Sequence, residues 1–185
     1  LCGAILDAGL RHASLCGKGP SHIRTHTALI TVLRKDLEKA GAGVDIERVV
    51  PEWYAVVDGT IEEARLDLVV RFPGAPFAER IEISIRSPFS ASFDRANGER
   101  ATAQQVGVAA KSGEDAKHHR YGPGFAPLVF ETFGRVGDEG LALLRRLRRM
   151  ALDYGKRRPG GRPMGLNLRK MRARLEATLV REVAD

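Results

Sequence analysis

Alternation of apolar and polar positions is clearest in the middle of the chain. Arg65-Leu66-Asp67-Leu68-Val69-Val70-Arg71 and Arg80-Ile81-Glu82-Ile83-Ser84-Ile85-Arg86 both alternate and are rich in Val and Ile, the pattern of strands. The turn formers Phe72-Pro73-Gly74-Ala75-Pro76 separate them, which predicts two neighbouring strands joined by a short loop. Upstream, Ala28, Leu29, Val32, Leu33, Leu37 and Ala40 recur at helical spacing, and Gly41 follows as a stop. Residues 44–50 alternate like a strand with Glu47 on its polar side, and Pro51 ends it. A polar, acidic turn is expected over 58–63. Downstream come a Ser/Asp/Asn/Gly loop over 90–98, a helix with a small-residue face over 101–120, and a short buried strand over 125–130. A turn at 131–137 leads to a helix over 139–154. A basic Pro/Gly linker (155–165) and an Arg-rich amphipathic helix (166–183) complete the order. Helix, three strands, helix, strand, helices predicts an α/β unit with helices flanking a small mixed central sheet.

Length and charge sharpen this. At 185 residues the chain suits one domain, with room for a small appendage, and it can bury a real core. No stretch approaches the ~18–20 apolar residues of a membrane span, so no membrane partner is expected. The chain begins with Leu1 and lacks a basic leader followed by an apolar run, which reads as a piece of a longer intracellular polypeptide with no secretion signal. The net charge of +7 is unevenly placed: residues 145–185 hold 13 Lys/Arg against 4 Asp/Glu, and the rest holds 17 against 19. A basic helical C-terminal tail on a nearly neutral body points to an anionic polymer such as nucleic acid, the alternative being a solvated face.

Three groups of residues suggest chemistry. Asp67 and Glu82 each occupy a polar position between apolar ones on the two central strands. Paired strands hold two such carboxylates near enough to share a hard divalent cation, which takes oxygen ligands; the alternative is two solvated acids on an open sheet face. The helix over 101–120 carries Glu114, Lys117 and Tyr121 at i, i+3 and i+7, hence on one face, with Lys111 on another. A helix-borne ammonium facing two strand carboxylates is a workable phosphodiesterase layout, because it can neutralise developing charge or position water. At the N-terminus, Cys2, His12 and Cys16 stand as Cys-x9-His-x3-Cys, with His26 or His22 as a further candidate, giving thiolate and imidazole ligands suited to zinc. Plain residues or a Cys2–Cys16 disulfide are the alternatives.

The order Asp67, Glu82-Ile83-Ser84, Lys117, Tyr121 resembles the PD-(D/E)XK nuclease superfamily. More specifically it is similar to the restriction-like endonuclease domain that follows the reverse transcriptase in non-LTR retrotransposon polyproteins. Cys2, His12 and Cys16 resemble the zinc knuckle of that family, Arg24-Thr25-His26 its Arg-His-Asn helix, and Ser87-Pro88 and 125–137 follow in its order. The sequence departs from the general pattern at Ser84, where the signature lysine would stand; in the retrotransposon branch it looks to have moved to the next helix, which selects Lys117. Glu82 replaces the shorter aspartate of that branch. The resemblance implies a zinc segment over 1–22, a nuclease core over 23–154 and a basic linker and helix over 155–185. It implies catalysis by Asp67, Glu82 and Lys117, with Asp67, Glu82, the Ile83 carbonyl and Glu47 holding Mg²⁺ or Mn²⁺. Zn²⁺ would sit on Cys2, His12, Cys16 and His26. Glu114, Ser84, Tyr121 and Glu131 would surround the site. Arg65, Arg157, Arg158, Arg162, Arg169 and Lys170 would contact nucleic acid. The implied activity is nicking of target DNA to prime reverse transcription, in the nucleus if the source is eukaryotic, with the parent polyprotein and the element's RNA as further partners. The alternatives are an inactive nuclease-fold module that positions DNA or RNA, and an unrelated α/β protein docking on RNA or an acidic protein.

Overall fold

The computed structural model describes residues 21–57, 59–88, 106–157 and 166–184. The chain runs α1 (Ser21–Lys39), β1 (Gly43–Val49), a 3-10 turn (Pro51–Trp53), β2 (Ala55–Val57), β3 (Thr60–Glu62), β4 (Arg65–Arg71) and β5 (Glu79–Arg86). It continues with α2 (Val108–Tyr121), β6 (Ala126–Glu131), α3 (Asp138–Arg157) and α4 (Leu168–Ala184). Strands β1, β4, β5 and β6 form one sheet in that order, antiparallel except for the parallel pair β5–β6. The result is the expected mixed α/β unit, a small four-stranded mixed sheet among the four helices of the described residues. No helix of the described residues is long and apolar enough to cross a membrane.

Each sheet face has its own cover. Leu68, Val70, Ile81, Ile83, Leu128 and Phe130 form one core with Leu29, Leu33 and Leu37 of α1, Leu143, Leu144 and Leu147 of α3, and Leu175 and Leu179 of α4. The other face takes α2, whose Gly113 lies so close to Val129 and Arg86 that an added Cβ would stand 2.8 and 2.9 Å from them. Arg146 on α3 clamps the buried Glu79 at the start of β5 with two bonds of 2.9 and 3.2 Å, the bidentate geometry that guanidinium favours.

Several boundaries differ from the sequence pattern for local physical reasons. The acidic segment 58–63 expected as a turn includes β3, the second strand of the hairpin β2–β3; Asp58-Gly59 between short Val- and Ile-containing runs is a hairpin signal that its acidity obscures. The small-residue helix begins at Val108, because Gly107 holds φ 92°, a left-handed conformation no helix continues through; residues 101–105 lie outside the described set. Helix α3 runs three residues beyond Tyr154 into the expected linker. The Arg-rich C-terminal helix packs its apolar face on α1, where Arg174 pairs with the buried Asp36.

Because Leu175 is fully buried in that packing, Leu175→Ala should destabilise the fold by about 2–5 kcal/mol, read by denaturant unfolding. A loss under about 0.5 kcal/mol, typical of a surface change, would mean that α4 is an appendage and not part of the core.

Candidate active site at the parting of two strands

The β4–β5 ladder pairs Leu68 with Ile81, and its register goes no further toward Asp67 and Glu82. Past that point the Asp67 side chain takes the place of a ladder bond: Ile83 N–H donates to Asp67 Oδ2 at 2.6 Å. The N–H and C=O of one strand residue emerge on the same side, so the Ile83 carbonyl faces the same gap as Asp67. His26, in the second turn of α1, contacts the same Oδ2 at 3.2 Å. Both bonds fall on one oxygen, which fixes the carboxylate's orientation and leaves Oδ1 outside them. Contact with the Asp67 carboxylate raises the pKa of His26 above the ordinary imidazole value, against the opposing effect of burial.

Glu82 faces the opposite helix. Its side chain is buried, 6% exposed as a residue, and Lys117 Nζ from α2 donates to Oε1 at 2.6 Å. Oε2 is buried and has no hydrogen-bond partner among the described residues. Burial, and then the charge of Asp67, push the Glu82 carboxyl up, while Lys117 pulls it down. An acid whose ionisation a neighbouring carboxylate disfavours, and whose second oxygen has no partner among the described residues, suits a cation shared with that neighbour. Among the described residues no three or more His, Cys, Asp or Glu side chains form a group that could hold a metal. Mg²⁺ nevertheless needs only one or two carboxylates when waters and substrate oxygens complete its shell.

Lys117 is oriented by its surroundings. Its Nζ lies 5.5 Å from the centre of the Tyr121 ring, which lies tilted by 31° at 5.1 Å from Trp53 and edge-on at 5.8 Å to Phe125. One residue further on, His118 contacts Glu139 Oε2 of α3 at 2.7 Å and helps tie α2 in place.

The structure thus brings Asp67, Glu82, Lys117 and Tyr121 together and adds His26. Ser84 follows Glu82 by two positions, hence on the same face of β5. Other expected members stand elsewhere. Glu114 is fully buried and accepts the Glu139 N–H at 2.9 Å, so it caps the first turn of α3; burial raises its pKa. Glu131 accepts the Ala110 N–H at 3.2 Å and caps α2 in the same way. Glu47 is exposed, aligned with Asp67 in the β1–β4 register but outside the paired set, with a left-handed φ of 49°. At that level the alternation slips, since Leu66 packs with Val50 and Val69 instead of with Leu68 and Val70. Arg65 pairs with Glu63 at 3.0 Å, Arg157 donates to the Gly74 carbonyl at 2.9 Å, and Arg169 and Lys170 are exposed on the first turn of α4. Cys2, His12, Cys16, Arg158 and Arg162 lie outside the described residues. His26, a candidate zinc ligand by sequence, is the residue whose placement at Asp67 was missed. The signal was there: it extends the stripe of Leu29, Leu33 and Leu37 by one turn and so had to face inward.

No protein-family model matches the chain, and a search of curated proteins finds no match.

The His118–Glu139 contact gives a pH signature. Its hydrogen bond to Glu139 holds the pKa of His118 above the ordinary value. A raised folded-state pKa contributes stability that is complete below the unfolded value, about 6.5, and is lost as pH rises through the folded value. The difference in melting temperature between wild type and His118→Asn should therefore be largest in mild acid and shrink as the pH becomes alkaline. A difference that grows with pH would contradict the ion pair.

Proposed function

We propose that the chain is a metal-dependent DNA endonuclease domain of the PD-(D/E)XK type, akin to that of non-LTR retrotransposon polyproteins, which nicks target DNA. The observation that carries this reading is the convergence of Glu82 Oε1 and Lys117 Nζ at 2.6 Å, with Glu82 Oε2 unpartnered among the described residues and the Asp67 charge acting on the same carboxyl. A solvated acidic pair on an open sheet would have left Lys117 in solvent and Glu82 exposed.

The donor set fits a hard divalent cation: Asp67, Glu82 and the Ile83 carbonyl are all oxygen ligands. Mg²⁺ or Mn²⁺ held there supplies a polarised phosphate and a water of lowered pKa. The chain's own groups do the positioning. His26 and the Ile83 N–H fix one oxygen of Asp67. Glu82 and the Tyr121 ring set the Lys117 ammonium where it can offset charge building on the phosphate oxygens. Ser84 leaves β5 without the usual lysine, and the ammonium reaches the same carboxylate from α2. Exposed Arg169 and Lys170 at the start of α4 would add sequence-independent phosphate contacts, and Cys2, His12 and Cys16 would hold zinc.

Nicking of supercoiled plasmid with Mg²⁺ or Mn²⁺ tests the reading. Lys117→Ala should lower the rate by about 10²–10³-fold, the loss typical of one charge-stabilising donor, and Asp67→Ala should abolish cleavage. His26→Ala should slow cleavage while leaving DNA affinity intact, as expected of a group that acts through Asp67. Binding without nicking by wild type in either metal would instead assign an inactive nuclease-fold module.

A further inference from the structure

Beside the Asp67–Glu82 pair lies a second feature that the nuclease chemistry does not use. A groove of about 400 Å³ runs along β1, β4 and β5 toward the β4–β5 turn, with Val69 in its lining and Arg48, Arg71 and Arg80 around it. Phe77 also lines it and is 58% exposed. Glu52 is the carboxylate of the lining and meets Arg80 at 3.4 Å. Arg48 and Arg71 form no ion pair among the described residues. Guanidinium groups gathered around one groove, two of them in no ion pair among the described residues, hold a positive field that a neutral surface would not carry.

The groove is continuous with the site. Arg80 precedes Glu82 by two residues on β5, hence on the same sheet face, about 7 Å away by strand rise. Arg48 and Arg71 face strand partners five positions apart along the β1–β4 ladder, about 17 Å by the same rise, the length of a few nucleotides. Guanidinium binds phosphate with a planar fork of donors. A bare, exposed aromatic ring at such a groove offers a face on which an unstacked base can lie, whereas the bases of an intact duplex are stacked on one another.

We propose that this groove binds a single-stranded segment of DNA, with phosphates on Arg48, Arg71 and Arg80 and a base on Phe77, leading the strand to Asp67 and Glu82. The identity of the strand as target DNA rests on the nuclease reading; the groove's affinity for it does not.

Fluorescence anisotropy of a labelled single-stranded oligodeoxynucleotide, without divalent metal, reads the groove directly. The double variant Arg48→Ser/Arg71→Ser should bind on the order of tenfold more weakly and flatten the log–log salt dependence by about 1.4, at ~0.7 for each single-strand phosphate no longer neutralised. Phe77→Ala should weaken binding roughly tenfold, with the salt slope and the affinity for duplex of the same sequence unchanged. Wild-type affinity and slope in the double variant, with a native circular dichroism spectrum, would overturn the assignment. Equal weakening on duplex, or tighter binding of an RNA of the same sequence, would also overturn it, by giving the groove to a different ligand. Plasmid nicking measured in parallel separates the two readings. Nicking with groove variants that bind like wild type removes the groove alone, whereas groove-dependent binding without nicking removes the nuclease and leaves the groove.

Discussion

The arrangement depends on one substitution of a side chain for a backbone bond. Where β4 and β5 part, Ile83 would lose its partner on the β4 side, and a buried amide left unpaired costs about as much as a lost hydrogen bond. Asp67 fills that vacancy at 2.6 Å. The carboxylate is thereby positioned by the sheet itself, and Glu82 is carried past the end of the ladder to face α2. Strands paired to their ends would satisfy Ile83 without Asp67 and leave no gap between them.

The helices that complete the site are aligned by carboxylates as well. Glu131 at the end of β6 accepts from the first turn of α2, which Gly107 leaves without a side-chain cap. Glu114 on α2 does the same for α3. Each acid meets the N-terminal end of a helix, where backbone N–H groups have no partner within the helix. Gly137 makes the second contact feasible, since a Cβ there would collide with Glu114 Oε1. Lys117 thus sits on a helix braced from β6 behind it and from α3 ahead of it.

Much of this was legible from residue order alone. Strands β4 and β5 could be read because Leu68, Val70, Ile81 and Ile83 meet a continuous core, so that burial and alternation agree there, the slip at Leu66 aside. Asp67, Glu82 and Lys117 could be singled out because strand and helix periodicity fix which face each occupies. The roles of Glu114 and Glu131 could not, because capping depends on which helix start a carboxylate reaches in space, and nothing in the spacing encodes that. His26 was half legible: its stripe showed that it faces inward, but not that Asp67 lies opposite. The hairpin β2–β3 was hidden by a composition that serves a loop as well as a short strand.

The left-handed Glu47 has a consequence for how the molecule behaves among its own copies. Among the described residues strand β1 is an edge, with Ile46 and Val49 substantially exposed on either side of Glu47. A flat edge of this composition would be a template for another chain's strand. A residue at φ 49° turns the peptide groups out of the plane such a strand would need. An intruding strand would meet a broken row of donors and acceptors halfway along. The same kink that lies level with Asp67 therefore also acts as a guard against edge-to-edge aggregation.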